Sequence, residues 1–519
     1  MSRLKIQVCS LVLKEHFGSA VEAVGQELLK TQTRNLSQLV KSTGLSITKV
    51  KEALRVLFHH NFVEYKQHTK GFVDYSINSD RVLYMLRYPC YAYCARTLYG
   101  EAGEIIVEEI LHSGRLCMSQ VVGKVLERLQ GSTSPDTVKN KFIDLVETHF
   151  LCRVPYPDPS GDSSAKVPSL IMPEYEMYKI PEIKLYLLSK KIKQEEEDPN
   201  EPPQKRAKLE DSQKQPDEAI YWRVNYRRFH TFMRDQMLVD AMERRVEVRG
   251  SEVIRAILRL SEKKMSAPRE SLTSPVSRQE IFEILKKEIS ITQQELDSYL
   301  QVITEDVNNF VIKTEERGGM YRIDMQRVLL KLAEAHIVNV VQDRFGVKAC
   351  RIFRLLLDKK FIEQKQIEEL AMIPARDAKE LTYQMFQEKF IMTKELPRTP
   401  DYAPSRMIYL FYVDLTQVTH MLLEWCYKAV ANSILRRAHV LQENKRVLDK
   451  QQRVDVIVAS MEQSNAEPDQ IEEVKEMVTP PERKELAYVK HVTSKMELCE
   501  AQLDETIFVL QMFLDSLCK

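Results

Sequence analysis

A mainly helical chain carrying small β-hairpins is the fold the sequence predicts, on three observations. One local pattern recurs four times along 519 residues: a helix start, an amphipathic helix, an aromatic-led strand, a turn and a second strand. A seven-residue apolar repeat dominates the tail. Glycine is scarce, at 14 residues, which argues against a glycine-rich β architecture.

The first copy is the clearest. Leu36, Leu39 and Val40 make a short helix, and Gly44-Leu45-Ser46 supplies a turn and a helix cap. Val50, Leu54 and Leu57 then recur at helical spacing until His60-Asn61. Phe62–Lys66 and Phe72–Ile77 alternate as strands around the turn at 67–71. Helix, turn, helix and hairpin in that order spell a winged helix.

In the second copy, helical segments carry Ile105, Ile106 and Ile110, then Met118, Val121 and Val125, then Val138, Phe142 and Leu145, running into Phe150. Its wing is expected to open through the proline-rich stretch 155–168 and to close at Leu170-Ile171-Met172. Counting back from Phe62, Phe150 and Phe390 finds an apolar residue five positions earlier (Leu57, Leu145, Met385), and Val50, Val138 and Ala378 twelve earlier. The third copy, 290–323, fits less well, because acidic residues separate Phe310 from Leu300 and Ile303. Its hairpin, 310–313 and 320–323, is plain. The fourth runs over 350–413, with a long wing tip at 397–404.

Between copies two and three, 189–218 is rich in Lys, Glu and Pro and is expected to be a disordered linker. Within it Lys205, Arg206 and Lys208 read either as a nuclear-import signal or as ordinary linker charge. From about residue 414 the tail is expected to fold as an antiparallel coiled-coil hairpin. Val489, Met496, Leu503, Leu510 and Leu517 form one seam, Val492, Cys499, Thr506 and Phe513 the second, and Val418, Leu422, Trp425, Ala429, Ile434, Leu441 and Leu448 offer a partner helix. The hairpin is the simplest solution, with a partner protein as the alternative source of the second strand. The expected division is thus 1–80, 81–188, 219–325 and 326–413 as four tandem winged helices, with 189–218 as linker and 414–519 as coiled coil.

The net charge is only +1, with 44% hydrophobic and 29% charged residues, so global electrostatics give no warrant for tight autonomous DNA binding. The N-terminus lacks the features of a secretory signal, and no apolar run is long enough to span a membrane. The nine cysteines are scattered and read as reduced thiols. Cys90, Cys94, Cys117 and His112 are the nearest approach to a metal cluster, but lack paired zinc spacing and fit core packing better. His59-His60, at a helix end, reads as a cap or surface pair. No phosphate loop, nucleophile elbow or metalloprotease motif occurs, so no catalytic residues and no cofactor are expected.

Lys49, Lys51 and Arg55 on the second helix of the first copy, with Lys66 and Lys70 on its wing, are the DNA-contact candidates, since cations there could meet phosphates. A solvated helix face explains them better, since Glu52 and Glu64 interrupt the patch and no Arg/Asn pair stands out as a base reader. In the fourth copy Glu380, Glu388 and Lys389 make a mixed face better suited to protein contact.

The chain also resembles, over its whole length, the winged-helix subunit of the RNA polymerase III-specific heterotrimer, akin to the large subunit of general transcription factor IIE. The matching stretches are 14–18 (KEHFG), 85–89 (MLRYP), 351–355 (RIFRL), 372–375 (MIPA), 403–406 (APSR) and 504–508 (DETIF). The resemblance implies four winged helices and a coiled coil. It also implies a non-catalytic nuclear subunit seated on the clamp side of the largest subunit with two partner subunits. Such a subunit would aid recruitment to initiation factor TFIIIB, promoter opening and synthesis of small structured RNAs (tRNA, 5S rRNA). Weak contact with single- or double-stranded DNA, and a part in sensing cytosolic DNA by the whole polymerase, belong to the same picture. Two other classes compete: a free-standing winged-helix regulator that reads duplex DNA alone, and a scaffold of the proteasome-lid type, which four scattered hairpins disfavour.

Overall fold

A computed structural model of the chain describes residues 2–67, 71–129, 133–158, 169–181, 217, 219–264, 271–289, 291–314, 319–397, 407–463 and 468–517. It is mainly helical with small antiparallel sheets, as the sequence predicts. The chain divides into two compact units, residues 1–232 with 430–501, and 233–429 with 502–519.

Four three-stranded sheets share one order, in which the last strand lies between the first two. In the first, Thr33–Asn35 and Val63–Gln67 flank Val73–Ile77. In the third, Val276–Ser277 and Val311–Thr314 flank Met320–Ile323, and in the fourth Ile362–Glu363 and Met392–Pro397 flank Met407–Tyr412. Each sheet belongs to a helix–strand–helix–helix–strand–strand module, the winged-helix order. The repeated Phe marks one point in all four. Asn61, His149, Asn309 and Lys389 take left-handed φ values (58, 66, 47 and 64°) that end the third helix, and Phe62, Phe150, Phe310 and Phe390 then turn into the core. Three of these turns close identically, with the Phe N–H donating to the carbonyl of Leu57, Leu145 or Met385. In the third module Asn309 N–H makes the same bond to Asp306 O that Asn61, His149 and Lys389 make to Phe58, Val146 and Phe386, but the helix stops at Glu305 and its last buried residue, Ile303, lies seven positions before Phe310. That displacement of the last buried helix residue is why the spacing count fails there while the fold does not.

The second wing corrects the sequence reading. Leu170–Ile171 pairs only with Tyr156–Pro157, in a separate two-stranded sheet. The strand that closes the second module is Tyr221–Val224, between Leu116–Cys117 and Leu151–Arg153. Asn225 confirms the equivalence: its N–H donates to Phe150 O, as Asn78 N–H does to Phe62 O and Asp324 N–H to Phe310 O. Residues 154–220 are therefore an insertion within the wing of the second module, and 219–224 belongs to that module rather than to the third. Its return is pinned by Asp217, fully buried, whose carboxylate accepts from Ser119 N–H at 2.7 Å. Most of 189–218, including Lys205, Arg206 and Lys208, lies outside the described residues, as does the wing tip 398–404.

Each module is entered through a helix–helix corner. Gly18, Gly100 and Gly346 hold it in three modules with φ 85, 79 and 85° and extended ψ. The third has Glu247 there, at φ 133°, a conformation that costs an L-residue about 1–3 kcal/mol. The amide four residues on still finds the corner carbonyl in every case (Glu22 to Gly18, Glu104 to Gly100, Ser251 to Glu247, Cys350 to Gly346).

The tail is helical over Leu415–Glu443, Lys445–Gln463, Pro468–Glu476 and Pro480–Leu517. Contacts in the first unit run antiparallel: Ser433 Oγ donates to Met496 O, Arg437 reaches Glu497 and Glu500, and Lys450 pairs with Glu482 at 2.7 Å. Of the predicted seam, Val489, Leu510 and Phe513 are buried, Met496 and Leu503 half-buried, and Cys499, Leu441 and Leu517 exposed. The order of the heptad thus persists while its apolar seam is discontinuous, with charge filling the gap. Arg437 is 15% exposed and also meets Glu15 at 3.1 Å.

Candidate nucleic-acid interface

The helix Ile47–His59 begins at Ser46, whose hydroxyl accepts from Lys49 N–H. Val50, Ala53, Leu54 and Leu57 are buried, and this apolar stripe fixes which side faces solvent. Lys49, Lys51, Glu52 and Arg55 are left exposed. Lys51 and Arg55, four residues apart, share one stripe, whereas Lys49 lies on the opposite flank. None of the three has an ion-pair partner among the described residues.

On the wing, alternation turns Glu64 and Lys66 outward and Val63 and Tyr65 inward, where Tyr65 and Tyr75 rings meet Phe58 edge-on at 5.7 and 5.8 Å. Lys66 stands directly opposite Asp74 in register. Glu64 is engaged by Arg81 at 3.1 Å, an arginine also held by the Asn61 carbonyl at 2.8 Å. The carboxylate that interrupts the patch in sequence is therefore balanced by a cation 17 positions away in sequence. Lys70 lies outside the described residues.

The equivalent helices of the other modules differ. On Pro135–Glu147, Lys141 is turned toward Asp144 at 3.3 Å. The third module's Gln293–Glu305 is acidic, and arginines meet its carboxylates: Arg249 at Glu295, Arg278 at Asp297, and Arg245 at the adjoining Asp306. On Ala375–Gln387, Lys379 pairs with Glu368, and Tyr383 is 65% exposed. The first module's helix therefore offers unengaged cations where the third is internally neutralised.

His60 caps the helix end, its N–H donating to Val56 O, but it is no surface residue. Its ring stacks on Phe62 at 5.6 Å and meets Phe17 at 4.7 Å, and burial lowers its pKa to about 4. His59 Nδ1 accepts from Arg115 Nε at 3.2 Å. Burial pushes the Cys94 thiol up to about 11, and Cys117 lies in the second module's sheet. Among the described residues no three His, Cys, Asp or Glu side chains converge as metal ligands would, and no helix is long and apolar enough to cross a membrane. Sequence reasoning missed a polar aromatic cluster around fully buried Arg87. There Tyr88 and Tyr226 hydroxyls lie 3.1 Å apart, and Tyr91 bonds His230 at 2.7 Å. The repeated Tyr-rich run 88–93 was its signal.

Repeated winged-helix modules followed by antiparallel tail helices define a multi-module winged-helix protein. Family models assign each part further. Residues 7–68 match the RNA polymerase III subunit RPC82 helix-turn-helix domain and 140–332 the RPC82 subunit model. Residues 337–413 match the POLR3C C-terminal winged-helix domain, and 446–509 the RPC3 helical hairpin domain. The chain is 44% identical to DNA-directed RNA polymerase III subunit RPC3 of Bos taurus and 43% to that of Homo sapiens, with both chains covered completely. A Dictyostelium discoideum relative is 27% identical over 47% of this chain and 39% of its own. The chain belongs to the RPC3 family of RNA polymerase III subunits.

Proposed function

We propose that the chain is a non-catalytic, nuclear subunit of DNA-directed RNA polymerase III, with no active site of its own. It joins two other subunits in a heterotrimer on the clamp of the largest subunit, supports recruitment through TFIIIB and helps open promoter DNA for tRNA and 5S rRNA synthesis. Through the whole polymerase it takes part in sensing cytosolic DNA. The observation that carries this reading is full-length identity above 40% to named subunits of that enzyme.

Within it, Lys49, Lys51, Arg55, Lys66 and Lys70 make weak, sequence-independent phosphate contacts. A chain of net charge +1 fits that role, because DNA affinity then comes from effective concentration within the assembly. Removing one cation from a phosphate should flatten the salt dependence of binding by about 0.9 in log K per log salt. Charge reversal at Lys49, Lys51, Arg55 and Lys66 should therefore reduce DNA crosslinking and promoter opening by reconstituted polymerase without altering subunit assembly. Unchanged crosslinking would remove the assignment. Tight, sequence-specific duplex binding by the isolated chain would favour a free-standing regulator instead.

A further inference from the structure

The cationic stripe of the first module does not end with its helix. Lys51, Arg55 and His59 follow one another at four-residue steps along Ile47–His59, a rise of about 6 Å each. Where the stripe ends stands Arg115, from the second module. Its Nε–H donates to His59 Nδ1 at 3.2 Å, and its guanidinium lies 5.6 Å over the centre of the Tyr221 ring. An imidazole that accepts at Nδ1 is neutral, with its proton on Nε2. Burial, and then the charges of Arg115 and Arg55, lower the His59 pKa from its ordinary value, which favours the state that this bond requires.

The approach of the two modules is built into the backbone. Gly114 closes the helix Glu101–Ser113 at φ 79°. Gln32 and Lys360 end the corresponding helices of the first and fourth modules at φ 67°, so the turn alone does not demand glycine. Contact does: a Cβ at 114 would stand 2.7 Å from the His59 carbonyl oxygen and 3.0 Å from His60 Cα. The residue after Gly114 is therefore held against the end of the first module's helix.

Arg115 differs from the arginines of the third module in what holds it. Arg245, Arg249 and Arg278 each meet a carboxylate. Arg115 is held by a neutral ring nitrogen and an aromatic face, and it has no ion-pair partner among the described residues. Both contacts orient the guanidinium without neutralising it. Arg115 is half-buried and Tyr221 is 39% exposed, which puts the pair at the surface. An oriented guanidinium that lacks an anion matches the geometry and charge of a phosphate.

We infer that Arg115 is a further DNA-phosphate contact, carrying the row of Lys51 and Arg55 from the first module onto the second, and that His59 is a positioning residue that aims it. The inference rests on the reading of Lys51 and Arg55 as phosphate contacts. One DNA backbone is then shared by two modules, and Arg115 adds affinity without reading sequence.

The test is a salt titration of DNA binding by polymerase III reconstituted with the full chain, read by fluorescence anisotropy on a labelled mixed-sequence duplex. Arg115→Gln should flatten the slope of log K against log salt by about 0.9 and lower the affinity about tenfold at about 50 mM salt. Arg115→Lys keeps the charge and should restore the slope, which separates a lost contact from a damaged fold. His59→Ala should lower the affinity part of the way, and His59→Asn, with an oxygen in place of Nδ1, should restore it. In the Arg115→Gln background His59→Ala should have no further effect. An unchanged slope in Arg115→Gln, with Arg55→Gln still flattening it, would overturn this inference and leave its parent standing. A loss in His59→Ala that persists without Arg115 would overturn the positioning role. Unchanged slopes in Lys51→Gln, Arg55→Gln and Arg115→Gln alike would overturn both readings.

Discussion

Replacing His60 by Phe should flatten the pH dependence of stability, and the structure sets the size of the effect. The imidazole sits between Phe17 and Phe62 with a buried Nδ1 that has no hydrogen-bond partner, and neighbouring His59, His112 and His16 add to the cost of charging it. Its pKa is lowered by burial to about 4, against an ordinary 6.5. The unfolded chain therefore binds the proton first. The stability of the neutral ring is fully present above pH 6.5, declines as pH falls through the window, and is exhausted below about 4. Integrated to pH 5, the loss is about 2 kcal/mol. Phe keeps the stack and carries no proton. Urea unfolding of the full chain at pH 7.5 and pH 5 should show the wild type losing about 2 kcal/mol more than His60→Phe. His230, whose pKa is lowered by burial to about 3, contributes equally to both proteins and cancels. Equal losses in the two would refute the argument that His60 is held neutral.

Three further outcomes follow from packing and charge. Glu247→Gly should stabilise the second unit by about 1 kcal/mol by relieving its φ of 133°, seen as a raised urea midpoint at unchanged slope. Arg437→Met should cost about 3–5 kcal/mol, because it leaves Glu500, 9% exposed, facing Glu15 and Glu497 without a cation. Burial already raises the Glu500 pKa, so protonation at low pH should narrow the gap between mutant and wild type. Asp217→Ala should leave the buried Ser119 N–H without its acceptor and cost about 1–3 kcal/mol, seen as a lowered urea midpoint at unchanged slope.

Much of this architecture was legible because its signals are local. A Phe following a helix, five residues after an apolar anchor, records a left-handed turn whose amide must reach back to that anchor, and Phe62, Phe150 and Phe390 all obey it. Phe310 escaped the count because its helix stops at Glu305 and the last buried helix residue, Ile303, lies seven positions back, though the ring is buried as in the other modules. The second wing was misread for a different reason. Its closing strand, Tyr221–Val224, pairs with residues about 70 positions away, and no local rule links them. The readable clue was Tyr-Trp-Arg-Val-Asn, an alternating strand ending on the same Asn that ends Tyr75-Ser76-Ile77-Asn78. The cationic face was visible as residues but not as a balance: only folding brings Arg81 to Glu64 and sets Asp74 against Lys66.

The most direct test of the central claim is purification of the tagged full chain from nuclear extract at moderate salt, with identification of its stoichiometric partners. Recovery of RNA polymerase III together with two small partner subunits is the predicted result. Recovery of the chain alone, still binding one duplex sequence tightly, would contradict it.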